Sequence, residues 1–376
     1  MNTSVAPTRN DLDQVYRTYD PNLAGHQQAE AVVVGTEGIT VLCSTNPKGE
    51  GEHTWLIRLA DDGSVQWERH YALDQGTGRA IAALPGGGFV IAGDVRCSAM
   101  EYQAQILRVD ADGSVIAGGA FGPRGATGFV AVAVLNDRST LAGGTARWKG
   151  WLMRADDALR VIWELAIDDI DDVHGIAALA DGGFALVASQ EKSTTALGMT
   201  RLAAFAGNQR VRWQKQLPVA GRGELAALAT LADAGMVAVG HYSASERDAV
   251  QLWVVRVDAA GEVVWECLRG PADEERRGRA IVSLADGSVV VAGDALHDGH
   301  RGLRVVRLAA DGTIAWERGY GGELEYNVAR GLARTNDGGL VLVGSTTAKG
   351  PGKTNVWILR LDSDGRLLWD RVFGAG

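Results

Sequence analysis

A strand-turn-strand unit that returns seven times, about every 50 residues, predicts an all-β protein: a seven-bladed β-propeller of four-stranded antiparallel blades. Three observations carry that expectation. An arginine recurs in every repeat, a tryptophan follows nine residues behind it in most, and each repeat holds four short apolar runs separated by turn residues.

The unit is plainest at Val356 to Phe373, VWILRLDSDGRLLWDRVF. The arginines fall at Arg58, Arg108, Arg154, Arg201, Arg256, Arg307 and Arg360. Nine residues on come Trp67, Trp163, Trp265, Trp316 and Trp369. Repeat two has Ala117 there, and repeat four is read as reaching Trp213 through a three-residue insertion. Three residues before the arginine, four repeats carry Trp55, Trp151, Trp253 and Trp357. Ten of the eleven tryptophans thus share two repeat positions, which chance would not arrange, and Trp148 stands outside both.

The two strands are joined by Asp62-Gly63, Asp112-Gly113, Asp311-Gly312 and Asp364-Gly365, with Ala260-Gly261 in repeat five. Asp-Gly between apolar runs signals a hairpin because glycine accepts positive φ. Ala158-Leu159 in repeat three lacks the glycine and predicts an altered turn.

Two more strands lie upstream. The first runs Arg79 to Leu84, with counterparts Val130 to Leu135, His174 to Leu179, Ala226 to Leu231, Arg279 to Leu284 and Arg330 to Thr335. The second follows a glycine turn, as in GFVIAGD from Gly88 and GLVLVGS from Gly339. The second residue of the first strand is always small: Ala31, Ala80, Ala131, Gly175, Ala227, Ala280, Gly331. That restriction fits an innermost strand, where radial blades converge. The fourth-strand tryptophans would then fill the gaps at the diverging rim, each burying roughly 150–250 Å².

Val15 to Tyr19 (VYRTY) is similar to the tryptophan strands WERHY and WERGY. The ring is therefore expected to close by joining N- and C-terminal segments in one blade. Residues 1–13 read as a flexible polar terminus and residues 14–376 as a single propeller domain.

The net charge of −9 argues against a nucleic-acid surface, which would be basic. Three cysteines, Cys43, Cys97 and Cys267, fall at non-equivalent repeat positions and make no disulfide framework. No secretory signal is read at the start, and no apolar run reaches the ~18 residues of a membrane span. A cytoplasmic protein without a membrane span is expected.

The pattern from Asp337 to Trp369, DGG-x-x-x-x-G followed by W-x-x-R-x-D-x-x-G-x-x-x-W, resembles the tryptophan-docked bacterial propellers. These include the pyrroloquinoline-quinone dehydrogenase-like repeats and, closer still, uncharacterised bacterial repeats of the DGG/W type. The resemblance covers essentially the whole chain and implies the propeller fold. It implies no quinone chemistry: those enzymes have eight blades, a vicinal cysteine pair and a secretory signal, and this chain shows none of these. The similar outer-membrane assembly lipoproteins need a lipidated cysteine after a signal, which is also missing.

The first residue of each first strand forms a candidate ring: Glu30, Arg79, Val130, His174, Ala226, Arg279 and Arg330. Three arginines and a histidine converging on the funnel mouth would suit a carboxylate or phosphate, because arginine offers a planar donor fork. The plainer reading is a set of solvated entrance residues, with Glu30 pairing one arginine. Asp168, Asp169, Asp171 and Asp172 with His174 supply oxygen ligands of the kind Ca²⁺ favours, but without the spacing of a known loop, so an acidic solvated loop is the better reading. The repeated strand arginines are expected to pair carboxylates or cap carbonyls. No catalytic motif is present in linear form, and no cofactor is expected. The function expected from sequence is a non-catalytic scaffold presenting variable loops, such as His241 to Asp248 and Thr346 to Thr354, to a protein partner. The alternative is binding or hydrolysis of a small anionic ligand at the funnel.

Overall fold

A computed structural model describes residues 25–46, 52–71, 76–99, 101–190, 199–217, 221–245, 248–271, 273–322 and 325–374. Val15 to Tyr19, and with them the expected joining of the chain ends, lie outside the described residues. Among the described residues the chain forms 28 strands in seven four-stranded antiparallel sheets, each of four consecutive strands. The blades span 26–71, 76–125, 127–167, 172–217, 222–269, 275–320 and 327–373. No helix among them is long and apolar enough to cross a membrane.

First strands of neighbouring blades touch all the way round, blade 7 against blade 1 included. Small residues permit this. At Gly331 of blade 7 an added Cβ would sit 3.2 Å from the Cα of Ala31 in blade 1. The core is correspondingly divided. Seven buried clusters each lie at one interface between blades, and the one joining blades 7 and 1 packs Ile39, Val41 and Trp55 on Val341, Val343 and Ile358. The chain is further tied there by the Gln27 amide donating to the Thr354 carbonyl at 3.0 Å.

The first strands begin earlier than the apolar pattern indicated, at Gly76 rather than Arg79 in blade 2, for example. A β-bulge explains this. Pairing skips one residue in the first strand of every blade, between Ala29 and Ala31 in blade 1 and between Gly78 and Ala80 in blade 2, then continues beyond it. The bulge drives a first-strand carbonyl at the second strand. At Gly240 an added Cβ would stand 1.8 Å from the Glu224 carbonyl oxygen, so glycine is required at that point of the GMVAVGH strand.

At the rim, fourth-strand indoles lie on the turn of the next blade. Trp369 covers Gly63, whose added Cβ would be 3.1 Å from the ring, and donates Nε1–H to the Asp61 carbonyl at 3.0 Å. Trp265 meets Gly312 and Ala310 in the same way.

Two expectations need correction. Repeat four has no insertion: Trp213 pairs with Ala204, as Trp67 pairs with Arg58. Arg201 pairs with Gln216 and so occupies the place of Trp55, not that of Arg58. The Leu159 turn is not altered either. Its amide donates to the Asp156 carbonyl at 3.0 Å, as that of Gly63 donates to Ala60 at 3.0 Å, and Leu159 takes φ 60° to do so. This conformation is unfavourable for a bulky L residue. The Leu159 side chain is buried in the cluster that packs on Ala117, the residue standing where blade 2 lacks its tryptophan. Burial there offsets the backbone strain.

Trp357→Ala, which empties a buried interface position, should cost about 3–5 kcal/mol, read by denaturant unfolding. Gly240→Ala should cost about 1–3 kcal/mol through the backbone clash; an unchanged midpoint would show that the second strand has room to retreat from the bulge.

Candidate functional site: the collar and the cavity beside it

All seven ring residues predicted from sequence lie at the bulges. Glu30, Arg79, Val130, His174, Ala226, Arg279 and Arg330 are each the residue that pairing skips. A bulge re-aims its side chain, and repeated around the axis it makes a collar.

The collar has a second tier that the sequence reading missed. It comes from the second strand, one residue beyond the position facing the bulge: Ser44, Asp94, Thr145, Ser189, His241, Asp294 and Ser345. The signal was present as the residue after the second-strand glycine in GFVIAGD and GMVAVGH. It was overlooked because it lies about 15 residues from its partner on another strand.

The two tiers bond to each other. Ser44 Oγ donates to Glu30 Oε1 at 2.7 Å. Arg79 Nε donates to Asp94 Oδ2 at 3.3 Å, and its Nη2 lies 4.0 Å from Glu52. Arg279 Nε donates to Asp294 Oδ1 at 3.1 Å, and Arg301 binds the other oxygen of this buried carboxylate. His174 Nε2 and Ser189 Oγ are 2.5 Å apart, with Glu224 3.8 Å from His174 Nδ1. Arg330 reaches neutral Gln28 at 3.4 Å.

Burial pushes the Glu30 carboxyl above its ordinary range, against the pull of Ser44 and of Arg330 and Arg79 nearby. Burial likewise raises Asp94 and Asp172 and lowers His241. Arg79 is held above its usual value despite burial, because Asp94 and Glu30 face it. The collar thus mixes acid, base and neutral residues, and two of its three ring arginines, Arg79 and Arg279, face a carboxylate already.

The candidate cation cluster does not assemble. Lys149 lies 3.9 Å from Asp168, and Asp172 turns inward beside His174. Among the described residues no three histidine, cysteine or acidic side chains group as metal ligands. Cys43, Cys97 and Cys267 are free thiols.

Beside the collar, between blades 1, 2 and 3, opens a cavity of about 650 Å³. Arg79, Asp94 and Glu52 line it together with Arg96 and Tyr102, with Gly128 and Thr145 of blade 3, and with Ala126 just before that blade. Small residues make the space, and so does a short connection: the second and third strands of blade 3, Thr140–Ala146 and Lys149–Ala155, are joined by Arg147 and Trp148 alone. Both take positive φ, 51° and 66°. The Arg147 amide donates to the Ala126 carbonyl on the cavity wall at 2.9 Å. Trp148, the tryptophan outside the repeat pattern, is 77% exposed.

On the opposite face the repeated arginines clamp turns, as expected. Asp337 accepts Thr335 Oγ1 at 2.6 Å, the Gly339 amide at 3.1 Å and Arg360 Nη2 at 2.5 Å.

Comparison with known proteins agrees on the architecture. Residues 284–314 match a family described as a domain of unknown function (DUF5122), β-propeller. No curated protein matches the chain. The WD40 repeats of RRP9 superpose with a TM-score of 0.58 at 12% identity, over 85% of this chain and 88% of that one. Virginiamycin B lyase from Staphylococcus aureus gives 0.53 at 11%, over 92% and 94%. The β-propeller domain of the Trilobed protease from Pyrococcus furiosus gives 0.52 at 10%, over 93% and 95%. At such identities the likeness shows the fold alone: this chain is a β-propeller protein.

The Thr335 hydroxyl, the Gly339 amide and Arg360 hold the Asp337 carboxyl at about 2, against an ordinary 3.8. Its folded value is the lower one, so its contribution to stability is complete above about pH 4 and is lost as pH falls through about 2. Asp137, Asp233 and Asp286 shift in the same direction. The Tm should therefore drop between pH 4 and 2, and Asp337→Asn should lower Tm at pH 7 while flattening that drop. Parallel pH profiles for the two proteins, followed by circular dichroism, would rule this out.

Proposed function

We propose that this chain is a non-catalytic scaffold, a propeller of the tryptophan-docked DGG/W-repeat type, that meets a protein partner on its collar face at the shoulder of blades 2 and 3. The indole of Trp369 on Gly63 supports the repeat type. Trp148 carries the functional reading. A tryptophan 77% exposed at φ 66° contributes little to any core and strains its own turn. Tryptophan, tyrosine and arginine are the side chains that anchor interfaces. Here Trp148 and Arg147 stand on a turn bonded to the cavity wall, and Tyr102 and Arg96 line the same cavity. A partner segment seated there would cover the indole and enter the cavity. Strain at an exposed turn is then compensated in the complex rather than in the free protein.

An anionic ligand at the funnel has less support. Arg79 and Arg279 each face an aspartate, and Arg330 alone of the three ring arginines bonds to a neutral partner.

The test compares wild type with Trp148→Ser in affinity purification from the native host. Tm should change little, because surface substitutions stay within about 0.5 kcal/mol. A stoichiometric partner bound by wild type should be lost by the variant, with Kd weakened at least ~30-fold, the consequence of removing an anchor worth about 2 kcal/mol or more. Equal recovery by both proteins would remove Trp148, and with it this reading.

A further inference from the structure

The repeat supplies its own comparison for one buried charge. In five blades the third-strand arginine holds an acid from the turn between the first and second strands. The separations are 3.7 Å for Arg58 and Glu37, 2.5 Å for Arg154 and Asp137, 2.7 Å for Arg256 and Asp233, 2.6 Å for Arg307 and Asp286, and 2.5 Å for Arg360 and Asp337. Blade 4 lacks the arginine, having Ala204, and its acid Asp181 is taken up by Arg212.

Blade 2 has the opposite defect. Arg108 pairs with Val90 as Arg360 pairs with Val341, so the acid position, four residues ahead of Val341 at Asp337, falls on Gly86. The turn there reads Pro85-Gly86-Gly87-Gly88 and offers no carboxylate. Arg108 is nonetheless 9% exposed and makes no ion pair among the described residues: its Nη2, the atom that meets the acid in the other five blades, has no carboxylate to meet, and its Nε and Nη1 are buried without an acceptor. The empty place is open: a Cβ at Gly86 would meet nothing within 4 Å, and the acids of the other blades face solvent at the same point. The amide two residues after the acid, that of Ser288 or Gly339, donates to the carboxylate at 3.0 or 3.1 Å. Gly88 carries the corresponding amide in blade 2.

A buried guanidinium without a counter-charge is costly, and arginine is suited to a carboxylate through paired N–H donors. We propose that Arg108 and the Pro85–Gly88 turn form a carboxylate site that the chain leaves unfilled, to be occupied from outside. The same chemistry is met by a free small carboxylate or by an acidic side chain of a bound polypeptide. The site lies at the far end of the first strands from the collar, so it stands or falls independently of Trp148.

Titration of the full chain at constant ionic strength tests this, with two probes: acetate, and a short peptide with both ends blocked and one glutamate. At a hundredfold excess over Kd either occupant should raise Tm by about 2 °C or more. Arg108→Met should abolish the shift, and in the absence of carboxylate it should be at least as stable as wild type. Arg360→Met, which orphans Asp337, should be less stable. A response to acetate marks a small-molecule site, and a response to the peptide alone marks a polypeptide. If neither probe shifts wild type more than Arg108→Met, the proposal fails. Should Arg108→Met not fold, the Arg108 Nε–H resonance of wild type decides: movement on addition of either probe supports the site, and its constancy overturns it.

Discussion

Seven first strands meeting round one axis leave almost no room between them, and the rest of the structure follows from that crowding. Each first strand carries alanine or glycine where it touches its neighbour, as Gly331 does against Ala31. Each also buckles one residue earlier. The bulge relieves the convergence by turning one side chain out of the packed layer and toward the mouth of the funnel. The carbonyl displaced in the process leans on the second strand, which answers with a glycine at Gly240, Gly293 and Gly344. Crowding at the axis therefore accounts for the collar and for the glycine of five blades, while blades 1 and 4 carry Cys43 and Ala188 at that position.

Divergence at the rim sets the opposite requirement. Volume must be filled there, and indoles laid on the glycine of the next turn fill it. Local failures of this scheme are met by local repairs. Where Ala117 replaces a tryptophan, Leu159 occupies the space from the neighbouring blade and tolerates a left-handed backbone to do so. Where Ala204 replaces an arginine, Arg212 takes its acid. Arg108 has no such repair among the described residues, which sets it apart.

The repeat, the strand count per blade and the inner position of the first strand were all legible in the sequence, because period and residue size report directly on radial packing. The register of repeat four was not. Arg201 matched the residue type of the series but not its pairing, and only the ladder with Gln216 reveals that it stands in a tryptophan's place. The bulges were invisible for a related reason: one extra residue in an Ala- and Gly-rich strand leaves the apolar alternation on either side intact. Glu30, Arg79, His174, Arg279 and Arg330 were still found as a set, since superposing repeats aligns bulge with bulge. Their partners were missed because Asp94 and Asp294 belong to another strand, and reading one strand at a time cannot pair them.

That pairing changes what the collar is fit for. A row of arginines read along one strand is a cationic cup. With Asp94 on Arg79 and Asp294 shared by Arg279 and Arg301, two of its three arginines already sit in ion pairs, and Arg330 bonds to Gln28. An incoming anion would have to displace a carboxylate held in place by the fold, and its gain would be the difference between two similar interactions. Groups without such a commitment are better placed to bind. On the collar face these are the exposed indole of Trp148, positioned by a two-residue turn rather than by the repeat, and the ring of Tyr102 in the cavity beside it. The repeat builds a nearly self-satisfied disc, and specificity has to arise where a blade departs from it.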